Sequence, residues 1–232
     1  MAKKGANMTE TEAQASLHML YEGNNDTPES TDADYLTRRG LLNIAIAIWE
    51  KEALWRELFV KLADASDGDK TTTADDADYD CPTDFRFPVG FLRISTSYYP
   101  FKDVTKYQLI RSSDTSTYFY YVTGNKNTDY DIHLHPTPSS TGDTLSYEYY
   151  KSATSLSATS SVFEMSDPYF AIYFALSKLL EQDGRIGESQ KAFMEANARL
   201  ERMKETNMTI PFYQENQVPD EAFARGVGGF GV

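Results

Sequence analysis

The run Asp131-Ile-His133-Leu-His135 is the part of this 232-residue chain best suited to chemistry. On a strand, alternate residues face the same side, and a His-x-His pair can chelate zinc when a third ligand converges. Glu148 in the next strand-like run is a candidate for that third ligand. The competing reading is a solvated sheet face whose reverse side, Tyr130, Ile132 and Leu134, is buried. No second ligand motif follows, and the solvated face is preferred.

Other reactive types are isolated. His18 lies in a polar stretch with no catalytic company. Cys81 is the only cysteine, which excludes an intrachain disulfide and a thiolate metal cluster. It precedes Pro82 beside an acidic run, and neighbouring carboxylates raise a thiol pKa instead of activating it. The carboxylates of Asp67–Asp80 do not match a calcium-loop spacing, and no apolar pocket is apparent to separate their pKa values. No glycine-rich loop leads into a helix to cradle phosphate. The expectation is a protein that is not an enzyme, with no catalytic residue, no metal site and no cofactor.

The elements around these residues follow from periodicity. Residues 1–31 are polar and small and read as a flexible N-terminal arm. Leu41, Ile44, Ile48, Trp55, Leu58, Phe59 and Leu62 recur at helical spacings after an N-cap at Asp32 or Asp34, which predicts one long helix ending near Ala65–Gly68. Leu42, Ala45, Ile46 and Ala47 widen its apolar stripe, so this helix should be contacted on more than one side. Asp69, Asp75, Asp76, Asp78 and Asp80 then crowd a linker held extended or looped by repulsion. From Phe85 to Lys151 the period changes to two. Runs at Leu92–Tyr98, Tyr107–Arg111, Tyr118–Thr123, Tyr130–His135 and Leu145–Tyr149 are separated by turn residues, which predicts an antiparallel sheet or barrel. Asp167-Pro168 starts a helix that stops at Asp183-Gly184, and another runs from about Ile186 to Thr206. Irregular chain carries Phe212, Tyr213, Phe223 and Phe230 beyond it.

The expected fold is therefore α+β. It is a helical bundle of one long N-terminal helix packed on two C-terminal helices, with an antiparallel β insertion and extended N- and C-terminal tails. Its divisions are the arm 1–31, a helical core from 32–66 and 162–206, the acidic linker and β insertion 67–161, and the tail 207–232.

Composition narrows the partners. The chain has 16 Tyr and 13 Phe against 2 Trp, and tyrosine serves both half-buried sheets and protein interfaces. A formal charge of -13 opposes gripping nucleic acid, which relies on Lys and Arg to displace counterions. It equally opposes docking on an anionic membrane. No apolar run is long enough to span a bilayer, and no secretory signal follows Met1-Ala-Lys-Lys-Gly5.

The order of pieces resembles the head-to-tail adaptor (connector, or head completion) proteins of tailed phages. The resemblance runs from about Leu36 to Asn207. It rests on Gly40-Leu-Leu-Asn-Ile-Ala-Ile-Ala-Ile-Trp49, Cys81-Pro-Thr-Asp-Phe85, Leu145-Ser-Tyr-Glu-Tyr-Tyr-Lys151, Ser166-Asp-Pro-Tyr169, Leu179-Leu-Glu-Gln-Asp183 and Phe193-Met-Glu-Ala-Asn-Ala-Arg-Leu-Glu-Arg-Met203. It implies a homo-oligomeric ring, commonly of twelve copies, between a portal protein and a tail or nozzle protein, assembled in the host cytoplasm and carried in the virion. DNA would pass through the lumen without sequence-specific binding, and no membrane is involved. The C-terminal segment would reach the portal, with Phe212, Tyr213, Phe223 and Phe230 as portal-binding residues. Leu42, Ile46, Phe170 and Phe174 are the expected subunit-interface residues. Two other readings remain: a tail-completion or adhesion protein whose Tyr-rich sheet binds a partner or glycan, and a hydrolase using the His133/His135 face.

Overall fold

The computed structural model describes residues 8–102, 117–125 and 128–209. The chain divides into two compact units, one from residues before Phe59 and after Lys151, the other from the stretch between them.

The first unit is helical. Helix α1 (Glu10–Glu22) begins at a capping box, in which the Thr9 hydroxyl accepts from the Glu12 N–H (3.3 Å) and the Glu12 carboxylate accepts from the Thr9 N–H (2.7 Å). It ends at Gly23, whose φ of +76° is the left-handed cap that glycine supplies. Helix α2 spans Ala33–Glu52 and buries Tyr35, Arg38, Leu42, Ala45, Ile46 and Trp49, a face at helical spacing. Helix α3 (Tyr169–Gln182) is preceded by Asp167, whose carboxylate accepts from the Tyr169 N–H (3.1 Å), and by Pro168 in helical conformation. Gly184 (φ +75°) turns the chain into helix α4 (Ile186–Thr209). Helices α1, α2 and α4 all pack on α3. That hub position explains why α3 buries Phe170, Ile172, Phe174, Leu176, Leu179 and Leu180 on several sides.

The second unit holds two antiparallel sheets. Strands β1 (Phe59–Lys61), β3 (Phe85–Ile94), β4 (Ser97–Pro100) and β7 (Leu145–Lys151) form a four-stranded sheet in the order β1-β7-β3-β4. Strands β2 (Asp78–Asp80), β5 (Phe119–Asn125) and β6 (Asp129–His135) form a second, in the order β2-β6-β5. Both contribute to one core. Phe85, Leu92, Ile94, Tyr99, Tyr147 and Tyr149 come from the first sheet, and Tyr79, Tyr120, Ile132 and Leu134 from the second. Phe85 is its aromatic centre, with ring centroids 5.4 Å from both Tyr149 and Tyr130. Strand β3 slips against β7 between Phe85 and Phe87 and again between Val89 and Arg93. Pro88, which has no N–H, sits between those irregularities.

The expected bundle is corrected on three points. The N-terminal stretch is not wholly an extended arm, because α1 forms within it. There is no single long N-terminal helix: α2 stops at Glu52, and Ala53 is extended (φ -158°). The stop comes from tryptophan, not from glycine or proline. The Trp55 indole stacks on Trp49 (5.1 Å) and its N–H donates to the Trp49 carbonyl (2.5 Å), which satisfies one of the helix's unpaired C-terminal groups. Leu58 then lies in a 3-10 turn and Phe59 in β1. Finally, the described residues of the β region form two sheets, not one. The segment expected as a strand at Tyr107–Arg111 lies outside the described residues.

Candidate functional site

The His133 face has clear geometry. On β6, Ile132 and Leu134 are buried while Asp131, His133 and His135 share the opposite face. His133 pairs in register with Asp78 on β2 and Tyr121 on β5. Its Nδ1 lies 2.5 Å from Asp78 Oδ1, its Nε2 lies 2.6 Å from Thr123 Oγ1, and its ring stacks on Tyr121 at 4.6 Å. The order carboxylate, imidazole, hydroxyl is that of an acyl-transfer relay. However, the Asp78 side chain is 70 % exposed, and the relay lies outside the cavity described below. Both ring nitrogens are occupied, so the relay works as a cross-sheet clamp over three strands. His135 instead packs against Phe119 (4.8 Å). Glu148 belongs to the other sheet, where it pairs with Val89 and Lys61. Among the described residues no group of three or more His, Cys, Asp or Glu side chains is placed to hold a metal ion.

His18 has company that its sequence context did not show. It is buried on α1, with Nδ1 2.8 Å from the Arg38 guanidinium and Nε2 2.8 Å from Asn24 Oδ1. Arg38 donates only, so Nδ1 accepts and the ring carries its proton on Nε2. This is a structural contact between α1 and α2.

The acidic stretch is looped, and hydrogen bonds knit it in place. Asp67 accepts from the Thr83 N–H (3.1 Å) and hydroxyl (2.8 Å), which hold its carboxyl below the usual range. Asp69 accepts from the Asp80 N–H (2.9 Å) and Asp76 from the Asp78 N–H (3.1 Å). Thr72, 1 % exposed, donates its N–H to the Asp143 carbonyl (2.8 Å) and its hydroxyl to the Ser140 carbonyl (2.9 Å). Short carboxylates satisfy nearby backbone donors here, and that stabilisation outweighs their mutual repulsion in water. Asp67, Asp69, Asp80, Asp129 and Asp131 line an open cavity of about 450 Å³.

Cys81 is buried at the edge of that cavity. Burial pushes its thiol up to about 12, with smaller contributions from Asp131 and Asp80. Burial likewise raises Tyr147, Tyr120 and Tyr149. The thiol is therefore expected to resist a disulfide reagent at neutral pH and to react only once the chain is unfolded in denaturant. Rapid labelling of the native chain would contradict this placement. The sign of the linkage follows: a neutral form favoured by folding stabilises fully below the unfolded value of 9.0, and that stability is lost as pH rises toward 12.

The expected interface residues Leu42, Ile46, Phe170 and Phe174 are all buried in the chain's own helical core. Phe212, Tyr213, Phe223 and Phe230 lie outside the described residues. The exposed apolar side chains are different ones. On the first unit they include Leu36, Ile44, Ile186, Phe193 and Met194; on the second, Phe87, Tyr98, Phe101 and Tyr118. Sequence periodicity assigned Ile44 to the inner stripe, one helical step away from the face that is actually buried. No helix among the described residues is long and apolar enough to cross a membrane.

Exposed aromatic and aliphatic side chains give this strongly acidic chain surface suited to contact with other proteins. The family model described as SU10 adaptor protein matches residues 13–217. The chain belongs to the SU10 adaptor protein family, and so is a structural adaptor of a phage virion, as the head-to-tail resemblance implied. A comparison with curated proteins finds no match.

Proposed function

We propose that this adaptor forms a ring beneath the portal, contacts a tail or nozzle protein on its other side, and lets DNA pass through its lumen without catalysing a reaction. The family match over residues 13–217 carries this reading. The formal charge of -13 supports the passage, because an acidic channel repels the phosphate backbone instead of holding it. Phe87, Tyr98, Phe101 and Tyr118 supply contact area for the tail-side partner. Residues 210–232, with Phe212, Tyr213, Phe223 and Phe230, attach the ring to the portal. Truncation after Thr209 tests this: the thermal transition should stay within a few degrees, while co-sedimentation with the purified portal is lost. A truncated chain that binds the portal as well as the full one refutes the anchoring role. Electron microscopy of the full chain mixed with portal tests the ring itself, and a portal bearing no added annular density overturns it.

A further inference from the structure

Helix α2 is apolar on both sides. Its inner face packs on α3, but Leu36, Gly40, Ile44 and Ala47 are exposed on the opposite side, Leu36 and Ile44 about half so (48 % and 51 %). A helix apolar all round is normally covered all round. The charged residues between Asp34 and Lys51 do not interrupt this outer strip: Arg38 is buried, Arg39 turns to Glu10, and Glu50 reaches the Ala153 N–H. Gly40 adds an independent sign. It lies mid-helix, where glycine costs stability relative to alanine, and a Cβ built there meets nothing within 4 Å. Among the described residues nothing requires a glycine at this point. A close-approaching backbone from outside would.

A second strip lies on α4, where Ile186, Gln190, Phe193, Met194 and Asn197 are exposed and uncharged. Met194 is 70 % exposed. Helices α2 and α4 both pack on α3 but scarcely on each other, so the two strips belong to different flanks of the helical unit. They are equal in length: 12 residues from Leu36 to Ala47 and 12 from Ile186 to Asn197 span roughly 16–18 Å each at 1.5 Å per residue.

We infer that the outer strip of α2 docks on the α4 strip of a second copy of this chain. The inference rests on the ring reading and assigns its subunit contact. Two observations select a second copy as the occupant. Copies that each carry a charge of -13 repel, and can approach closely only where their surfaces are neutral. A closed ring also requires two different, complementary patches on every subunit, and the helical unit carries two. A single helix-on-helix contact falls short of the roughly 800 Å² per partner of a stable interface. The contact therefore closes when the portal holds copies side by side at high local concentration.

The test is disulfide trapping in assembled particles carrying Ile44→Cys and Phe193→Cys together. Native Cys81 is buried and stays silent. Both positions are exposed, so neither change disturbs the core. Mild oxidation should give a ladder of multimers from the double variant and monomers from each single variant. Dimers from Ile44→Cys alone mean that α2 meets its own counterpart, which overturns the assignment. An annulus visible in the particles without a ladder also overturns it while leaving the ring reading intact; particles with no annulus remove both. Independently, Ile44→Glu should leave the circular dichroism and melting of the free chain unchanged and lower incorporation into particles by roughly tenfold or more, the effect of placing an unpaired charge in a closed contact. Normal incorporation of folded Ile44→Glu refutes the proposal.

Discussion

Arg39→Met is expected to destabilise the chain by about 2–3 kcal/mol, most of it recovered when Glu10→Gln is added. Glu10 on α1 is fully buried, and its carboxylate bonds the Arg39 guanidinium at 2.5 Å. Removing Arg39 leaves a buried carboxylate without its cation, which in a fully buried pair costs about 3–5 kcal/mol. The lower figure is appropriate because 18 % of the Arg39 side chain remains exposed. The double variant removes the charge as well as its partner, and replacing both members of a buried pair is often close to neutral. Urea unfolding of the four chains of this cycle gives the coupling directly. Equal losses in the single and double variants would mean that Arg39 acts through packing on Tyr35, over whose ring it lies at 5.4 Å. The seam between α1 and α2 carries further polar contacts, with Gln14 donating to the Tyr35 carbonyl (3.2 Å) and Arg38 bonding His18. Limited proteolysis of Arg39→Met should accordingly cut first between Glu22 and Ala33, at the end of the released helix.

That seam also explains why α1 was not legible in advance. Its buried residues are Glu10, Gln14 and His18 beside only Ala13 and Leu17, so its apolar stripe is too narrow to stand out. Thr9-x-x-Glu12 and Gly23 marked both of its ends, but caps without periodicity do not announce a helix. The strands were easier. Tyr130, Ile132 and Leu134 alternate with Asp131, His133 and His135 because one side of β6 is buried and the other is not. Which strands share a sheet was not readable. Pairing of β1 with β7 joins Phe59 to Tyr150, and no local pattern encodes a partner that distant. For the same reason Leu58, Phe59 and Leu62 passed for a continuation of α2. Their spacing fits a helix, and only the Trp49–Trp55 stack shows where the helix ends.

The docking surface was half legible. The excess of apolar residues in Leu41–Trp49 announced a helix contacted on two sides, but not which side was which. The assignment turns on a rotation of the helix that only packing against α3 fixes. Leu42 and Ile46 went inward, and Ile44 was left to the solvent. Adaptor chemistry is of this kind: a catalytic motif constrains residue types at fixed spacing, whereas an interface constrains only that a face be neutral, apolar and correctly placed.

Gly124→Ala is expected to be among the most damaging single substitutions in the second unit, lowering stability by more than about 2 kcal/mol. Gly124 closes the β5–β6 hairpin opposite Tyr130, with φ at +91°. A Cβ there would lie 2.0 Å from the Asp129 carbonyl oxygen and 3.0 Å from its carbonyl carbon. Both are backbone atoms, so relief requires the hairpin itself to move, not merely a side chain to rotate. Movement would break the register that sets Val122 against Ile132 and Thr123 against Asp131. With it would go the alignment of His133 between Asp78 and Thr123. Asp129 is itself held at positive φ (+56°), so this turn already contains one strained non-glycine residue and has little room for another. Near-UV circular dichroism reports on the tyrosine core of this unit, where Ile132 and Leu134 pack with Tyr79 and Tyr120. The signal should weaken in Gly124→Ala at a temperature where the wild-type signal is intact. Gly142→Ala serves as the control. Its φ is +92°, so it carries the same conformational penalty, but a Cβ there meets nothing within 4 Å. If both variants lose stability equally, the hairpin accommodates the clash and only the dihedral matters. A loss at Gly124 larger by at least 1 kcal/mol or so identifies the Asp129 backbone as the obstacle.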